Sequence, residues 1–204
     1  MSHNKLWAVW HGAGRKWGRC KKLDYRVTAV LVAAGSSTRM GFDKLSFDLG
    51  GETVLHRSIR AFAQCPLVDE IILVAGSNRA FAQQQAADCA KPVCVVVGGA
   101  TRAESAKNGV LAASGTLVAV HDAARPFVSQ QVITAALEAA ARCGAAAPAV
   151  PVKDTIKSVG QGNTVTQTLD RSILRAVQTP QVFDGALLKA ALQNALEHQL
   201  PITD

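Results

Sequence analysis

The stretch Val27-Thr28-Ala29-Val30-Leu31-Val32-Ala33-Ala34-Gly35-Ser36-Ser37-Thr38-Arg39-Met40-Gly41-Phe42-Asp43-Lys44 decides how the rest of the chain is read. Val27 to Val32 is an unbroken run of β-branched and aliphatic residues closed by turn residues, the pattern of a strand covered on both faces in a parallel sheet. Ala33 to Ser37 carry almost no side chain, so backbone N–H groups there can approach an anion closely and point at it. Arg39 adds a planar, permanently charged fork for phosphate oxygens, and Lys44 adds a point charge. The spacing fits neither Gly-x-x-x-x-Gly-Lys-Ser/Thr nor Gly-x-Gly-x-x-Gly, so it supports neither a P-loop nor a dinucleotide fingerprint. On its own the loop reads equally as a seat for a nucleoside triphosphate and as a plain strand-to-helix turn.

Outward from this loop the same texture repeats. Val54, Leu55, Ile59 and Phe62 have helical spacing, and Pro66 marks the exit. Glu70 to Ala75 reads as a second buried strand, followed by an Ala/Gln-rich helix from Arg79 to Cys89. Val93 to Val97 form a third strand that runs into Gly98-Gly99. A helix from Ala103 to Ala113 and a strand at Leu117 to His121 follow. Strands alternating with helices at this spacing predict βαβ units in a three-layer α/β fold, Rossmann-like, with a mainly parallel sheet. In such sheets ligands lie beyond the carboxyl ends of the strands, where Ala33-Ala34-Gly35, Gly98-Gly99 and His121-Asp122 all fall. From Pro151 the pattern changes: Val152 to Val159 and Thr164 to Leu169 flank Gly160-Gln161-Gly162-Asn163, the signature of an inserted hairpin.

Composition narrows the class. The 204 residues suit one domain, and no apolar run reaches the ~18 residues of a membrane span, so a soluble protein with no membrane partner is expected. Five scattered cysteines, Cys20, Cys65, Cys89, Cys94 and Cys143, contain no Cys-x-x-Cys pair and fit free thiols in a reducing cytoplasm. The net charge of +7 is concentrated in residues 1–26, which carry +6 and leave +1 for residues 27–204. With the cations of the folded part so nearly balanced, a nucleic-acid partner is not expected. Residues 1–26 also hold all three tryptophans, Trp7, Trp10 and Trp17, without sustained periodicity, and read as a disordered basic extension preceding a domain at 27–204. A basic arm for an acidic partner is the other reading of that segment.

Several motifs in a fixed order carry a resemblance. Ala33-Ala34-Gly35 with Thr38-Arg39-Met40-Gly41 and Lys44 is similar to the signature of sugar-nucleotide and polyol-phosphate nucleotidyltransferases. Gly98-Gly99-x-x-Arg102-x-x-Ser105, His121-Asp122-Ala123-Ala124-Arg125-Pro126, Pro151-Val152-Lys153-Asp154-Thr155-x-Lys157, Asp170-Arg171 and Thr179-Pro180-Gln181 follow. The set, spanning about Val27 to Asp204, resembles the 2-C-methyl-D-erythritol 4-phosphate cytidylyltransferase family of the non-mevalonate isoprenoid pathway. The resemblance implies CTP and a polyol phosphate as substrates. Arg39 and Lys44 would then stabilise the charge that accumulates on the α-phosphate and pyrophosphate. Ala33, Ala34 and Gly35 would line the nucleotide, and Gly98, Gly99 and Ser105 would read the base, with Arg102 shaping that loop. Asp122, at a strand end, would be the ligand of an Mg²⁺ cofactor, since Mg²⁺ takes one or two carboxylates and completes its shell with water and phosphate. Its plainer reading is a helix cap or a partner for Arg125. His121 reads as structural.

Arg171 and Thr179 resemble the residues that hold the methylerythritol phosphate, with Asp154, Lys157 and Thr203 as weaker candidates. In the family the hairpin arm, here about residues 151–171, crosses to a second subunit, so the resemblance implies a homodimer in which Arg171 comes from the neighbour. The family continues past the position of Thr203-Asp204 with a helix, a strand carrying a phosphate-binding lysine and a closing helix. The expectation is therefore a domain with its C-terminal part missing. Two other functions remain open at this point. One is ribitol-5-phosphate cytidylyl transfer, against which Ala123-Ala124 weighs modestly; the other is a non-catalytic nucleotide-binding protein.

Overall fold

The computed structural model describes residues 7–9, 25–35, 43–198 and 200. Its framework is a set of four parallel strands, β2 (Val27–Ala33), β3 (Glu70–Ala75), β4 (Val93–Val97) and β5 (Leu117–Asp122), with β2 paired to β3 and β5 and β4 outside β3. The register sets Ala33 beside Ala75, Ala75 beside Val97, and Val32 beside Asp122. All four carboxyl ends therefore reach one rim. Beyond β5 the sheet turns mixed: β10 (Gln181–Asp184) runs antiparallel to β5, and β6 (Ala145–Pro151) antiparallel to β10. A short strand, β9 (Arg175–Val177), pairs with the distal half of β6.

Alternation along the strands builds the two cores. Ala29, Leu31, Ile71, Leu73, Leu117 and Ala119 face one side, and Val30, Ile72, Val74, Val118 and Val120 the other. The first side is covered by α1 (Val54–Ala63), α2 (Arg79–Gln85) and α4 (Gln130–Cys143), which contribute Leu55, Ile59, Phe62, Ala82, Ile133 and Leu137. On the second side lie α3 (Arg102–Ala112) and α5 (Gly185–Glu197), through Val110, Leu188 and Leu192. The three-layer α/β fold expected from the sequence is the one observed.

Two stretches depart from the sequence reading. The helix expected from Arg79 to Cys89 ends at Gln85, because its last turn tightens: Ala86, Ala87 and Cys89 N–H groups bond carbonyls three residues back. Within residues 1–26, read as a disordered extension, Trp7–Val9 form β1, paired antiparallel with Pro148, Ala147 and Ala146 of β6. Three residues of that segment thus satisfy the open backbone edge of β6; residues 1–6 and 10–24 lie outside the described part. The hairpin is present as β7 (Lys157–Val159) and β8 (Val165–Thr168), joined through a 3-10 turn at Gln161–Asn163. It is shorter than the 152–159 and 164–169 expected and forms a sheet of its own.

Candidate functional site

The rim is assembled from the ends of β2, β4 and β5. Ala33 is buried at the end of β2, and its carbonyl accepts from Asn78 Nδ2 at 3.2 Å, while Asn78 Oδ1 accepts from the Gly76 N–H at 3.0 Å. Asn78 thereby ties the first loop to the loop after β3. Ala34 packs on Gly98 so closely that a Cβ at Gly98 would lie 2.3 Å from the Ala34 Cβ and 2.9 Å from Ser105 Oγ. Only glycine lets these two loops meet. Among the described residues, nothing lies within 4 Å of where a Cβ at Gly35 would stand. Lys44 is half-buried in the turn at 44–46, where Asp43 Oδ1 accepts the Leu45 N–H. Arg39 lies outside the described residues.

The Gly98-Gly99 loop leads into α3 through a capping box. Thr101 Oγ1 accepts from the Glu104 N–H, and Glu104 Oε2 accepts from Ala100 and Thr101 N–H groups at 2.7 and 3.3 Å. Ser105, expected to meet the base, is 2% exposed. Its hydroxyl accepts from the Gly99 N–H at 3.0 Å and donates to the Thr101 carbonyl at 2.9 Å, so its bonding goes into fixing the loop. Gly98 and Gly99 are brought to the rim; Ser105 stands behind them.

Asp122 is the rim's carboxylate, and both its oxygens are held. Oδ1 accepts from Arg102 Nε at 3.0 Å and Nη2 at 2.9 Å, and Oδ2 lies 3.4 Å from Arg125 Nε. Arg102, at the start of α3, thus ties the Gly98-Gly99 loop to the end of β5, and the plainer reading of Asp122 as a partner of Arg125 is realised alongside. As a hard oxygen donor Asp122 fits Mg²⁺ through one carboxylate, with phosphate and water completing the shell. No group of three or more His, Cys, Asp or Glu side chains suited to a metal occurs among the described residues.

Behind Asp122 lies His121, fully buried and tilted against Phe62 with ring centroids 4.9 Å apart. Its Nε2 is 3.2 Å from the Arg125 carbonyl, and its Nδ1 is 2.9 Å from Thr179 Oγ1. Burial pushes its pKa down to about 4, against the opposing effects of the Arg125 carbonyl and Asp122, so the ring is neutral near pH 7. Thr179 also accepts from the Asp122 N–H at 3.5 Å, which draws the Thr179-Pro180 motif to the end of β5. Arg125 Nη1 donates to Gln178 Oε1, and the Ser58 hydroxyl donates to the Ala123 carbonyl at 2.7 Å, pinning the 122–125 turn from two sides. His121, Arg125, Gln178 and Thr179 line a cavity of about 590 Å³ together with the apolar side chains of Phe127, Val128, Val132 and Pro148.

Arg171 is not drawn into this cluster within one chain. It is exposed beside the hairpin, where its Nη1 donates to the Lys153 carbonyl at 2.6 Å. Lys157 likewise bonds Thr168 Oγ1 across the hairpin, Asp154 is exposed, and Thr203 lies outside the described residues. Asn78, Ser58 and Gln178 were missed by the sequence reading. A strand-end rule applied to β3 as to β2, β4 and β5 would have flagged Gly76-Ser77-Asn78, whereas Ser58, mid-helix, carries no such signal.

The family described as IspD, 2-C-methyl-D-erythritol 4-phosphate cytidylyltransferase, matches residues 27–204. The chain is 44% identical over 178 residues to a protein of that name from Symbiobacterium thermophilum, covering 85% of this chain and 75% of the relative. It is 43% identical over 188 residues to a bifunctional enzyme IspD/IspF from Anaeromyxobacter, covering 89% of this chain and 48% of the relative. The chain thus spans about half the length of such bifunctional relatives. Among solved structures, 4-diphosphocytidyl-2C-methyl-D-erythritol synthase from Anaerococcus prevotii matches with a TM-score of 0.79 at 29% identity, over 88% of this chain and 78% of that one. The 2-C-methyl-D-erythritol 4-phosphate cytidylyltransferase from Thermus thermophilus matches with a TM-score of 0.66 at 34% identity, over 86% and 79%.

Proposed function

Because this chain belongs to the 2-C-methyl-D-erythritol 4-phosphate cytidylyltransferase family, we propose that it transfers a cytidylyl group from CTP to 2-C-methyl-D-erythritol 4-phosphate, releasing pyrophosphate. A phosphate oxygen of the acceptor attacks the α-phosphorus in line, the α-phosphorus–oxygen bond to the leaving group breaks, and 4-diphosphocytidyl-2-C-methyl-D-erythritol forms. The attacking group is already an anion, so the chain has little proton transfer to perform. Positioning and charge neutralisation carry the step.

The observation that carries this reading is the meeting, at one rim, of the 33–35 loop, the Gly98-Gly99 loop and Asp122, packed through the Ala34–Gly98 contact and bridged by Arg102. In the proposed roles, backbone groups of Ala33, Ala34 and Gly35 take the triphosphate. Gly98 and Gly99 meet the cytosine edge in a loop shaped by Ser105. Lys44 and Arg39 neutralise the charge that builds on the α-phosphate and the leaving pyrophosphate. Asp122, together with phosphate oxygens, would hold Mg²⁺, which when bound supplies further neutralisation of the phosphates. Thr179 and the apolar-walled cavity beside it receive the acceptor, whose methyl branch suits the wall of Val128, Val132 and Pro148.

Arg171 completes the acceptor site from a second copy of the chain. Support comes from the arm itself: a two-stranded sheet is marginal alone, and Val159 and Val165 are exposed on it. The four described cysteines are free thiols, which suits a reducing, cytoplasmic setting. Among the described residues no helix is long and apolar enough to cross a membrane.

The test is pyrophosphate release from CTP in the presence and absence of Mg²⁺, with 2-C-methyl-D-erythritol 4-phosphate, with ribitol 5-phosphate and without acceptor. Metal-dependent release confined to the methylerythritol compound is expected. Equal release with ribitol 5-phosphate overturns the acceptor assignment, and CTP binding without release under any condition overturns the activity.

A further inference from the structure

We propose that Asn78 is a positioning residue of the nucleotide site: its carboxamide wedges the loop after β2 away from the loop after β3 and turns the backbone N–H groups of Ala34 and Gly35 toward the ligand. The inference rests on the nucleotide-binding role proposed above and assigns what sets the shape of that loop.

The wedge shows in the last rungs of the parallel ladders. Between β2 and β5 the final rung runs from the Ala123 N–H to the Val32 carbonyl at 3.0 Å, and between β3 and β4 from the Gly98 N–H to the Ala75 carbonyl at 2.8 Å. With Ala33 beside Ala75, the equivalent rung between β2 and β3 would join the Gly76 N–H to the Ala33 carbonyl. In its place the Asn78 carboxamide stands between the two, Nδ2 donating to the Ala33 carbonyl at 3.2 Å and Oδ1 accepting from the Gly76 N–H at 3.0 Å. The carbonyl can only accept and the N–H only donate, so these partners also fix which way the amide faces. Asn78 is the N-cap of α2 as well, a position where an Asn side chain ordinarily accepts from an N–H of its own helix, yet it makes no such bond. Its hydrogen bonding is committed to the end of β2 instead.

Planarity of the peptide carries this to the ligand. In a trans peptide the N–H points opposite to the carbonyl, so an Ala33 carbonyl held on the β3 side aims the Ala34 N–H at the β5 side, where Asp122 ends its strand. The Ala34 carbonyl also lies beside the loop after β3, 3.1 Å from where a Cβ at Gly76 would stand, so the Gly35 N–H faces away from that loop too. In a straight strand successive carbonyls alternate in direction, whereas here two in a row face β3. Two successive N–H groups turned the same way form a concave seat for an anion. The Ala123 carbonyl, which would take the Ala34 N–H in one further rung, accepts from the Ser58 hydroxyl at 2.7 Å. Among the described residues neither N–H has an acceptor. Asn78 thus acts through Ala33 and the two residues after it, and does not itself touch the ligand.

Two variants separate this role from helix capping. Asn78→Ser keeps a good N-cap residue but is too short to bridge Gly76 and Ala33, and Asn78→Leu keeps the volume without either hydrogen bond. Each should bind CTP about tenfold more weakly in calorimetry and raise the KM for CTP by a like factor, with the KM for the polyol phosphate within about twofold of wild type. Amide exchange at Gly76 should quicken in both, and CTP should shift the Ala34 and Gly35 resonances of the wild type in ¹⁵N NMR. Wild-type CTP affinity in Asn78→Ser reduces Asn78 to a cap and overturns the inference, as does a rise in KM shared equally by both substrates. If Asn78→Leu does not fold, the serine variant decides. A wild type that binds no CTP overturns the proposed function, and the inference falls with it; a wild type that binds CTP with Ala34 and Gly35 unmoved overturns the inference alone.

Discussion

Glu70, which begins β3, and Asp122, which ends β5, stand at opposite edges of the parallel strand set and show how partners decide what a carboxylate does. Burial opposes ionisation of Glu70, yet the Ser114 and Thr28 hydroxyls at 2.7 and 2.6 Å, the Ser114 N–H at 2.9 Å and the Arg26 guanidinium at 3.1 Å outweigh it. They hold its pKa at about 2, below the usual 4.5. A depressed acid stabilises the fold above its unfolded pKa and loses that contribution as pH falls from about 4.5 through about 2. Glu70→Gln should therefore cost stability at pH 7 and much less near pH 3, measured by urea unfolding of both proteins. A difference that stays constant between those pH values would rule out the charge as its source. Asp122, by contrast, is bonded by two guanidiniums at the rim, where its charge serves its neighbours. Lys44, proposed to act on the same phosphates, carries the kinetic prediction: Lys44→Ala should lower kcat by about 10²–10³-fold and leave CTP affinity in calorimetry within a few-fold. A matching loss in affinity would make it a ground-state contact instead.

At the scale of elements, α3 connects the Gly98-Gly99 loop to the sheet, and Gly109 sets how closely it lies. A Cβ there would come within 2.4 Å of Val30 Cγ1 and 2.6 Å of Val74 Cγ2. Alanine at this position gains ~1 kcal/mol of helix propensity and loses about 1–3 kcal/mol to overpacking against two stiff β-branched side chains. The overlap should win, so Gly109→Ala is expected to be less stable by up to about 2 kcal/mol in urea unfolding; a stabilised variant would show that α3 rides free of the sheet. The same helix marks what sequence could reveal. Its span was readable to within one residue, and β2 to β5 were too, because buried parallel strands give unbroken apolar runs between turn residues. β6 was not, since Ala145–Pro151 is built of alanine, proline and one valine and follows an alanine-rich helix. β9 and β10 are three and four residues long and carry no period to read. Strand-end loops pointed to the rim as the candidate site, but the links that hold that rim, Arg102 to Asp122 and Asn78 to Ala33, arise from register between strands distant in sequence. Gly109 itself reads along the chain only as a weak point in a helix; its packing role appears once Val30 and Val74 stand beneath it.

At the scale of the whole molecule, one chain holds an incomplete set of the proposed contacts. Asp122 lies at the rim, Lys44 is proposed to act there, Arg171 is exposed beside the hairpin, and several large apolar side chains are exposed: Phe127 at 75%, Ile173 at 78%, with Val150 and Val177 half-exposed. Solvent alone gives no reason to keep such side chains exposed, and a second copy laid across them would cover apolar area while delivering its arm to the proposed acceptor cavity. In a two-fold dimer the exchange is reciprocal, which gives a test that no single-chain site can pass. A Lys44→Ala chain has a defective rim and an intact arm, and an Arg171→Ala chain the opposite. Each homodimer should be nearly inactive with the polyol phosphate. In a mixed dimer, the rim of the Arg171→Ala chain meets the arm of the Lys44→Ala chain and one of two sites is whole. Equal mixing with free exchange should then restore roughly a quarter of wild-type activity, half of the dimers being mixed and each carrying one good site. If Arg171 served the rim of its own chain, both sites of the mixed dimer would stay defective and mixing would restore nothing.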